Sequence, residues 1–545
     1  YYESSPFALN GSEVPLKCVI HPSGYWERID EYDASGRPLV VVHQFLNAPT
    51  NALASEARRL AYDYTPLDGT QDDGTLEPDL PRRTDESLLG VPISTAYTIV
   101  EPYQTRTIRC PRPGLDWDDP SNLVTTNKYY DSSAGQFEHR LRSVQHPDGR
   151  REAYLYAAAG SGANATLTTV VLVGEPVSGN DTNIASGTIT TTVQGDVGQV
   201  LSVSVVDKAS GIVVDQKAYT YTDLFKRSHA VVDLSGRTNT VQYACCGLEL
   251  VTDHDGAQTQ YLYDGLGRGI GSCVLSYNPV LTTTNVLDAA GRVLATVRSG
   301  GGTAIVQRQS AYDLAGEVVS ETNALGGTTT YAETKVNGQT VRTTTYPDTS
   351  TRIETSAQDG SLVEVGGTAA SPLRYLYGVD DTGEEDAQSN PILLPFTFEI
   401  RVWETGATNE WTKRYADSLG RAYKTVYAAA SGAPTQRTLY NGKGQIERQI
   451  DPDGVLTLYQ YNARGESEYT ALNAGGTTNI DFAGLDRITR TVNDVCNNGV
   501  ANVRRTRTYA WHVLNTDTSI LISSSEVSVD GLRAWQRIYA DGVNA

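Results

Sequence analysis

The chain contains no methionine and only six cysteines in 545 residues. Six cysteines are too few for a disulfide-held scaffold at this length, and the absence of any Cys-x-x-Cys pair argues against a zinc site. Cys245 and Cys246 are adjacent, so they can form a vicinal disulfide, pair with Cys273 or another cysteine, or stay reduced. No metal site is predicted.

Basic residues are also scarce. The 44 Lys and Arg residues face 64 Asp and Glu residues, a net charge of −20 that argues against nucleic acid as a partner. Only nine of the basic residues are lysine, and the remaining 35 are arginine, which indicates a geometric role for the guanidinium group. No apolar run approaches the roughly 18 residues that a membrane-spanning helix needs, so no transmembrane segment is predicted.

Recognisable catalytic motifs are missing. The sequence has no GxSxG, no HExxH and no GxxxxGK[ST], and its seven histidines are scattered. The run Asp253-His254-Asp255-Gly256 has its glycine at the fourth position, where a calcium loop has it at the sixth. GLGRGIG at 265–271 has Ile270 where the third glycine of a nucleotide-binding loop would stand. We therefore predict no enzymatic activity and no cofactor.

The chain does contain a recurring phrase, Asp-x-x-Gly-Arg, often preceded by tyrosine. Anchors at 264, 288 and 313 are 24 and 25 residues apart, and those at 417, 441 and 462 are 24 and 21 apart. A recurrence of about 20 to 50 residues is typical of a stacked repeat architecture. The copies with an aspartate anchor contain Asp33, Gly36, Arg37, Asp233, Gly236, Arg237, Asp264, Gly267, Arg268, Asp288, Gly291, Arg292, Asp313, Gly316, Asp417, Gly420 and Arg421.

The residue types in this phrase predict a tight turn. Its Asp side chain can accept a backbone N–H two residues on, and its Gly can take the positive φ that closes a hairpin. A second Asp-Gly turn between copies gives each unit two short strands. A lone hairpin is marginal in water, so neighbouring units must pair. The Arg after the Gly is expected to stack on a Tyr of the next unit or to meet its Asp.

This phrase, with its interleaved Asp-Gly turn, resembles the RHS/YD-repeat family, most strongly over 230–346 and 412–490. The resemblance implies an all-β fold, a YD-repeat array of antiparallel β-hairpins in a long spiralling sheet, which in several members closes into a hollow shell. Members are secreted or surface-exposed, which implies an extracellular or cell-surface location. Similar shells enclose toxin polypeptides in bacterial toxin complexes and form the barrel of teneurin receptors. The self-cleaving core segment of the toxin shells is not recognisable here.

The density of the phrase divides the chain into six segments. Within the second, residues 52–64 are expected to form a short helix, and the acidic loop at 68–83 is expected to be exposed. The last phrase is cut short, so the array is expected to continue beyond the chain end. The segments are N-terminal repeat hairpins at 1–43, an irregular insertion at 44–128, divergent hairpins at 129–229, repeats at 230–346, a divergent β segment with an acidic loop at 347–411, and repeats at 412–545.

The sequence predicts a structural role, as an extracellular β-shell or scaffold in a filament, an adhesion structure or a surface layer. One alternative is a cocoon that encloses a toxin polypeptide. Another is a carbohydrate-binding adhesin, with sugars stacking on Tyr25, Trp26, Trp403 and Trp411, although the same rings would also serve to pack neighbouring units. Expected partners are other copies of the chain, neighbouring repeats of a longer chain, glycans or an enclosed polypeptide.

Overall fold

The computed structural model describes residues 16–221, 227–386, 389–402, 408, 410–429, 432–511, 516 and 518–539. These residues form 39 β-strands and three short 3-10 helices, Ala54–Glu56, Ser132–Phe137 and Gly162–Asn164. Each described strand pairs with the next along the chain, and these pairs are antiparallel. The predicted all-β array of antiparallel hairpins is therefore confirmed, as one continuous sheet.

The strands are short and follow one another through tight turns. The first thirteen are β1 Cys18–Ile20, β2 Trp26–Tyr32, β3 Pro38–His43, β4 Arg58–Asp63, β5 Arg83–Leu88, β6 Val91–Glu101, β7 Gln104–Arg109, β8 Leu123–Tyr129, β9 Leu141–Gln145, β10 Arg151–Ala159, β11 Thr166–Val177, β12 Asn180–Gln194 and β13 Val200–Asp207. The next thirteen are β14 Val213–Tyr221, β15 Ser228–Asp233, β16 Thr238–Ala244, β17 Gly247–Thr252, β18 Gln258–Tyr263, β19 Gly269–Val274, β20 Leu281–Leu287, β21 Val293–Gly300, β22 Thr303–Tyr312, β23 Val318–Asn323, β24 Thr328–Val336, β25 Gln339–Thr345 and β26 Thr351–Ser356. The last thirteen are β27 Leu362–Gly366, β28 Leu373–Glu385, β29 Pro391–Arg401, β30 Glu410–Ala416, β31 Ala422–Tyr427, β32 Thr435–Tyr440, β33 Ile446–Ile450, β34 Leu456–Tyr461, β35 Ser467–Leu472, β36 Arg487–Asn497, β37 Asn502–Trp511, β38 Ser519–Ser528 and β39 Ala534–Ile538.

The sheet winds into a spiral whose successive turns touch edge to edge. Gln44, just after β3, donates from Nε2 to Oε1 of Gln358, just after β26, at 2.6 Å. Arg109, at the end of β7, donates to the carbonyl of Leu419, just after β30, at 3.2 Å. Each of these contacts joins points 23 strands apart in the strand order. We call this line of contacts the seam.

Two further contacts lie at the same strand offset along the seam. Arg504 of β37 donates to the carbonyl of Val214 of β14 at 2.5 Å, and Lys335 at the end of β24 donates to the carbonyl of Ser23, just after β1, at 2.7 Å. The sequence separation varies, at 290 residues for Arg504 and 312 for Lys335, because the hairpins differ in length. A constant strand offset with a variable residue offset is the geometry of a wound sheet. The 39 strands therefore make somewhat less than two turns.

Dry cores are small and local. The cluster nearest the start of the sheet centres on Trp26, which is 1% exposed and packs against Val40, Val42, Ala52 and Ala57. Three other clusters contain only three or four fully buried apolar residues each. Most strand residues are half-buried on both faces, so strand pairing and turn hydrogen bonds, rather than a deep core, hold most of the sheet together.

Residues 44–128 continue the sheet, because β4 to β8 lie largely within them. The helix expected at 52–64 is wrong: only Ala54–Glu56 form a 3-10 turn, and Arg58–Asp63 form β4, where pairing with β3 and β5 overrides the helical propensity. The acidic loop that follows is not simply exposed. Arg82 and Asp72 form an ion pair inside it, with side chains 1% and 0% exposed.

The Arg82 guanidinium organises this loop. Its Nε lies 2.9 Å from Oδ1 of Asp72, whose same oxygen accepts the backbone N–H of Val100 at 3.0 Å. Its two terminal nitrogens donate to backbone carbonyls of the loop, those of Asp73, Leu76, Glu77 and Leu80. All of the guanidinium donors are thus paired, which makes burial of the charge tolerable.

Candidate functional site

Each repeat turn is held by its own aspartate. Oδ1 of Asp264 accepts the backbone N–H groups of Leu266 and Arg268, both at 2.9 Å, and Oδ2 accepts Nε of Arg268 at 2.7 Å. Gly267 has a φ of 76°, a conformation that favours glycine. The same positive φ occurs at Gly36, Gly236, Gly291, Gly316 and Gly420.

The repeat arginine also reaches the next unit. Nη1 of Arg292 donates to the carbonyl of Asp313 at 3.2 Å, and its guanidinium lies 4.9 Å from the ring centroid of Tyr312. The Tyr312 hydroxyl in turn donates to the carbonyl of Val293 at 3.0 Å. Both contacts that the sequence left open, a stack on the next Tyr and a bond to the next Asp, are therefore made at once. The bond to Asp313 uses its backbone oxygen.

Arg421 repeats this arrangement in the second turn of the spiral. Its guanidinium lies 3.7 Å from the ring centroid of Tyr440, whose hydroxyl donates to the carbonyl of Ala422 at 3.0 Å. Where Glu317 replaces the arginine, the turn keeps its backbone bond to Asp313 at 2.9 Å. The Tyr-Asp-x-x-Gly-Arg phrase thus encodes both a turn and a link from that turn to the next one.

The hydrogen bonds within these turns lower the pKa of the aspartates. The Ser235 hydroxyl, with the backbone N–H and guanidinium of Arg237, lowers the pKa of Asp233 to about 2. The pKa values of Asp264 and Asp288 are lowered mainly by the backbone N–H and guanidinium of Arg268 and Arg292, respectively. Because the folded state favours the charged form, these groups stabilise the fold above their unfolded pKa of about 3.9.

We expect the protein to lose stability as the pH falls from about 4 towards 2, the interval between the unfolded and folded pKa values of Asp233. The urea midpoint, followed by circular dichroism, should fall over this interval and should fall less in Asp233→Asn. Asp255→Asn is the matched control, because the Asp255 side chain is 80% exposed. If the urea midpoint fell equally with pH in the unchanged protein and in both variants, the acid sensitivity would not come from Asp233.

A half-open cavity with a volume of about 830 Å³ lies at the seam. The first turn of the spiral contributes Tyr25, His43, Arg58 and Glu86 to its wall, and the second turn contributes Asp359 and the repeat turn 417–420. Residues from two of the sequence predictions therefore line the same cavity. Tyr25 belongs to the proposed glycan site, and Asp417 and Gly420 belong to a repeat turn. This cavity and the surrounding seam contacts form the candidate functional site.

Polar groups in the cavity are paired across neighbouring strands. The Tyr25 hydroxyl lies 3.0 Å from Nδ1 of His43, and Arg58 pairs with Glu86. Burial lowers the pKa of His43, although Glu27 at 3.7 Å opposes this shift, and burial raises the pKa of Tyr25. The cavity thus contains a phenol, an imidazole that is neutral at pH 7 and an ion pair without net charge. These groups can form polar contacts between the first and second turns of the spiral.

Backbone contacts beside the cavity join the two turns directly. The N–H of Gln358 donates to Oδ1 of Asn47 at 3.0 Å, and the N–H of Asp359 donates to the carbonyl of Leu46 at 3.3 Å. The Asp359 carboxylate accepts the Leu46 N–H at 2.6 Å. The sequence did not point to these residues, because their partners are more than 300 positions away and none belongs to the repeat phrase.

The four proposed sugar-stacking residues do not form one surface. Trp26 is buried in its core cluster, where its Nε1 donates to the carbonyl of Ala48 at 2.8 Å, so it is not available to a ligand. Trp411 packs edge-on against Phe398, with ring centroids 5.3 Å apart. Trp403 lies outside the described residues. Tyr25 lines the cavity at the seam.

None of the six cysteines forms a disulfide bond. Cys245 and Cys246 form the exposed two-residue loop between β16 and β17, with their Sγ atoms 3.0 Å apart. Sγ of Cys273 lies 3.2 Å from Oγ1 of Thr282 and makes no disulfide. Within the described ranges, no three His, Cys, Asp or Glu side chains group in a way that could hold a metal ion.

We expect a thiol reagent to modify the exposed Cys245 in the native protein and Cys110 only after unfolding. Cys110 is 0% exposed, and burial raises the pKa of its thiol to about 11, which suppresses the reactive thiolate. Mass spectrometry of peptides after brief labelling with a maleimide would measure both rates. Labelling of Cys110 as fast as that of Cys245 would contradict the burial described here.

Comparison with solved structures bears on the fold. The chain is similar to a crystal structure of TcdB2-TccC3-TEV. The TM-score is 0.51 at 12% identity, over 93% of this chain and 28% of that one. At this identity the likeness concerns the fold, and it supports an RHS-like all-β architecture. A structure of TcdB2-TccC3 aligns over 96% of this chain and 31% of that one at 12% identity. Its TM-score is 0.26, too low to indicate a shared fold.

No family model matches the chain, and no curated protein matches it. Because the chain spans 28% of the length of the TcdB2-TccC3-TEV chain, the activity and partners of that whole protein do not transfer to it directly. In the part of the chain that the structure describes, no helix has the length and apolarity needed to cross a membrane.

Proposed function

We propose that this chain is part of the wall of a secreted, hollow β-shell that encloses a polypeptide. The observation that carries the proposal is the seam, because edge contacts at a constant offset of 23 strands bend a flat ribbon into a wall around a central space. The RHS-like fold supports it, since shells of that kind enclose toxin polypeptides. The role is mechanical, and no residue is assigned to catalysis.

The dimensions suit such a role. Twenty-three strands spaced about 4.8 Å apart give a circumference of roughly 110 Å and, wound as a circle, a diameter of about 35 Å. Side chains extend about 5 Å inward from each wall, which leaves a clear width of roughly 25 Å. A helix with its side chains is about 10–12 Å across, so the space accepts a polypeptide.

Single-particle electron cryomicroscopy of the full chain tests the proposal. We expect class averages with a ring of density around a central space of roughly 25 Å, the width estimated from the strand spacing. A flat ribbon or a solid rod would overturn it. A ring in particles that also join end to end as filaments would favour the scaffold role over enclosure.

A further inference from the structure

A second cavity, of about 440 Å³, lies at the edge of the first turn that faces away from the seam. Its lining includes Glu77, Glu101, Tyr103, Tyr129 and His139. In this first turn the seam contacts follow odd-numbered strands, such as β3 and β7, whereas Tyr103 follows β6 and His139 follows β8. The cavity therefore opens on the free rim of the spiral.

The backbone around this cavity is strained. Eight non-glycine residues have a positive φ in the described part of the chain, and three of them line this one cavity: Glu77 at 45°, Tyr103 at 60° and His139 at 61°. Tyr103 occupies the two-residue turn between β6 and β7, at a position where glycine or asparagine is usual. Such conformations persist only where the surrounding structure enforces them, and they cluster at binding and catalytic sites.

The strained turns hold two rings in a fixed arrangement. The rings of Tyr103 and His139 are stacked, with centroids 5.2 Å apart and planes inclined by 23°. The Tyr103 hydroxyl donates to Oε1 of Glu138 at 2.7 Å, and the Tyr103 carbonyl accepts the N–H of Tyr129 at 2.8 Å. These bonds orient the Tyr103 ring before any ligand arrives.

Carboxylates beside the rings are already partly engaged. Glu101 accepts from Arg106 and from Gln104, each at 2.5 Å. Asp73, also in the lining, accepts the backbone N–H and the hydroxyl of Thr75 through Oδ1. Glu101 is charge-balanced by Arg106, so it offers its remaining lone pairs as hydrogen-bond acceptors and does not require a cation.

We propose that this rim cavity binds an uncharged pyranose sugar. The outer face of a ring stack is a flat apolar surface, which fits the C–H face of a pyranose. The carboxylate oxygens accept hydrogen bonds from the hydroxyl groups of the sugar. A cation is the competing ligand, because Asp73, Glu77 and Glu101 also line the cavity, and it is therefore included in the test. This inference does not depend on the proposed enclosure of a polypeptide, since the cavity lies outside the seam.

Saturation-transfer NMR of the full chain tests the inference, with the methyl pyranosides of glucose, galactose, mannose and N-acetylglucosamine as probes and choline as the cationic probe. We expect at least one pyranoside to bind. Tyr103→Gly should weaken its binding by about tenfold or more through loss of the ring. Circular dichroism of the same variant should show an unchanged strand content, because glycine accepts the positive φ of this turn.

Asn337→Gly is the matched control, because Asn337 has a φ of 51° in an exposed hairpin turn next to the Lys335 seam contact, whereas the cavity lies on the edge that faces away from the seam. It should bind the sugar as the unchanged protein does. Binding of none of the four pyranosides, binding of choline alone, or unchanged sugar binding by Tyr103→Gly would each overturn the proposal.

Discussion

Replacement of Arg82 by methionine is expected to destabilise the loop at 65–82 by about 3–5 kcal/mol, the usual cost of removing one partner of a buried ion pair. The substitution leaves Asp72 charged and 0% exposed without its partner, and it leaves four loop carbonyls without their donors. Hydrogen exchange followed by mass spectrometry would measure the loss as faster exchange over the loop and at Val100, whose N–H donates to Asp72.

Arg83→Met is the matched control for this experiment. Arg83 is the next residue, but its side chain is 39% exposed and pairs with Asp85, which is 38% exposed. Pairs of this kind contribute about 0–1 kcal/mol, so exchange over the loop should change little. Equal effects of the two substitutions would mean that Arg82 does not organise the loop.

Replacement of Trp26 by alanine is expected to lower the free energy of unfolding of the N-terminal hairpins by about 3–5 kcal/mol. The indole is 1% exposed at the centre of its cluster, and its Nε1 donates to the carbonyl of Ala48. That bond holds the segment that carries Gln44 and Asn47 to the seam. We therefore expect Trp26→Ala to loosen the seam as well as the hairpins, which the urea midpoint and limited proteolysis at 44–50 would report.

Tyr25, the residue before Trp26, provides a control for the loss of core packing. Tyr25→Phe removes only the hydroxyl that lies 3.0 Å from His43, a change of about 0.5–1.5 kcal/mol. If Trp26 were a surface residue for sugar stacking, Trp26→Ala would leave the urea midpoint unchanged. That result would contradict the core assignment.

The local features of the fold could be predicted from the sequence because they are encoded within four or five residues. Asp264, Gly267 and Arg268 stand close enough along the chain for their turn to follow from side-chain chemistry alone. The period of 21 to 25 residues then requires each hairpin to pair with the next, which gave the all-β array.

Features that depend on distant partners could not be predicted. The bond between Gln44 and Gln358 joins residues 314 positions apart, and neither belongs to a repeat phrase. Arg82 is one of two arginines in an acidic loop. Nothing in the local sequence indicates that its guanidinium is buried. For Trp26 the sequence left sugar stacking and packing between units both open, because its cover comes from Ala52 and Ala57, which lie beyond the repeat.

A cross-link across the seam shows whether the sheet winds into a spiral. The pair Asn47→Cys and Gln358→Cys, in a Cys245→Ser/Cys246→Ser background, places two thiols where Asn47 accepts the N–H of Gln358. Treated with a short bismaleimide, the monomer should yield a linked peptide that joins positions 47 and 358. The control pair Asn47→Cys and Asp255→Cys lies fourteen strands apart and should yield none. No linked peptide from the first pair, or equal yields from both pairs, would contradict the wound sheet.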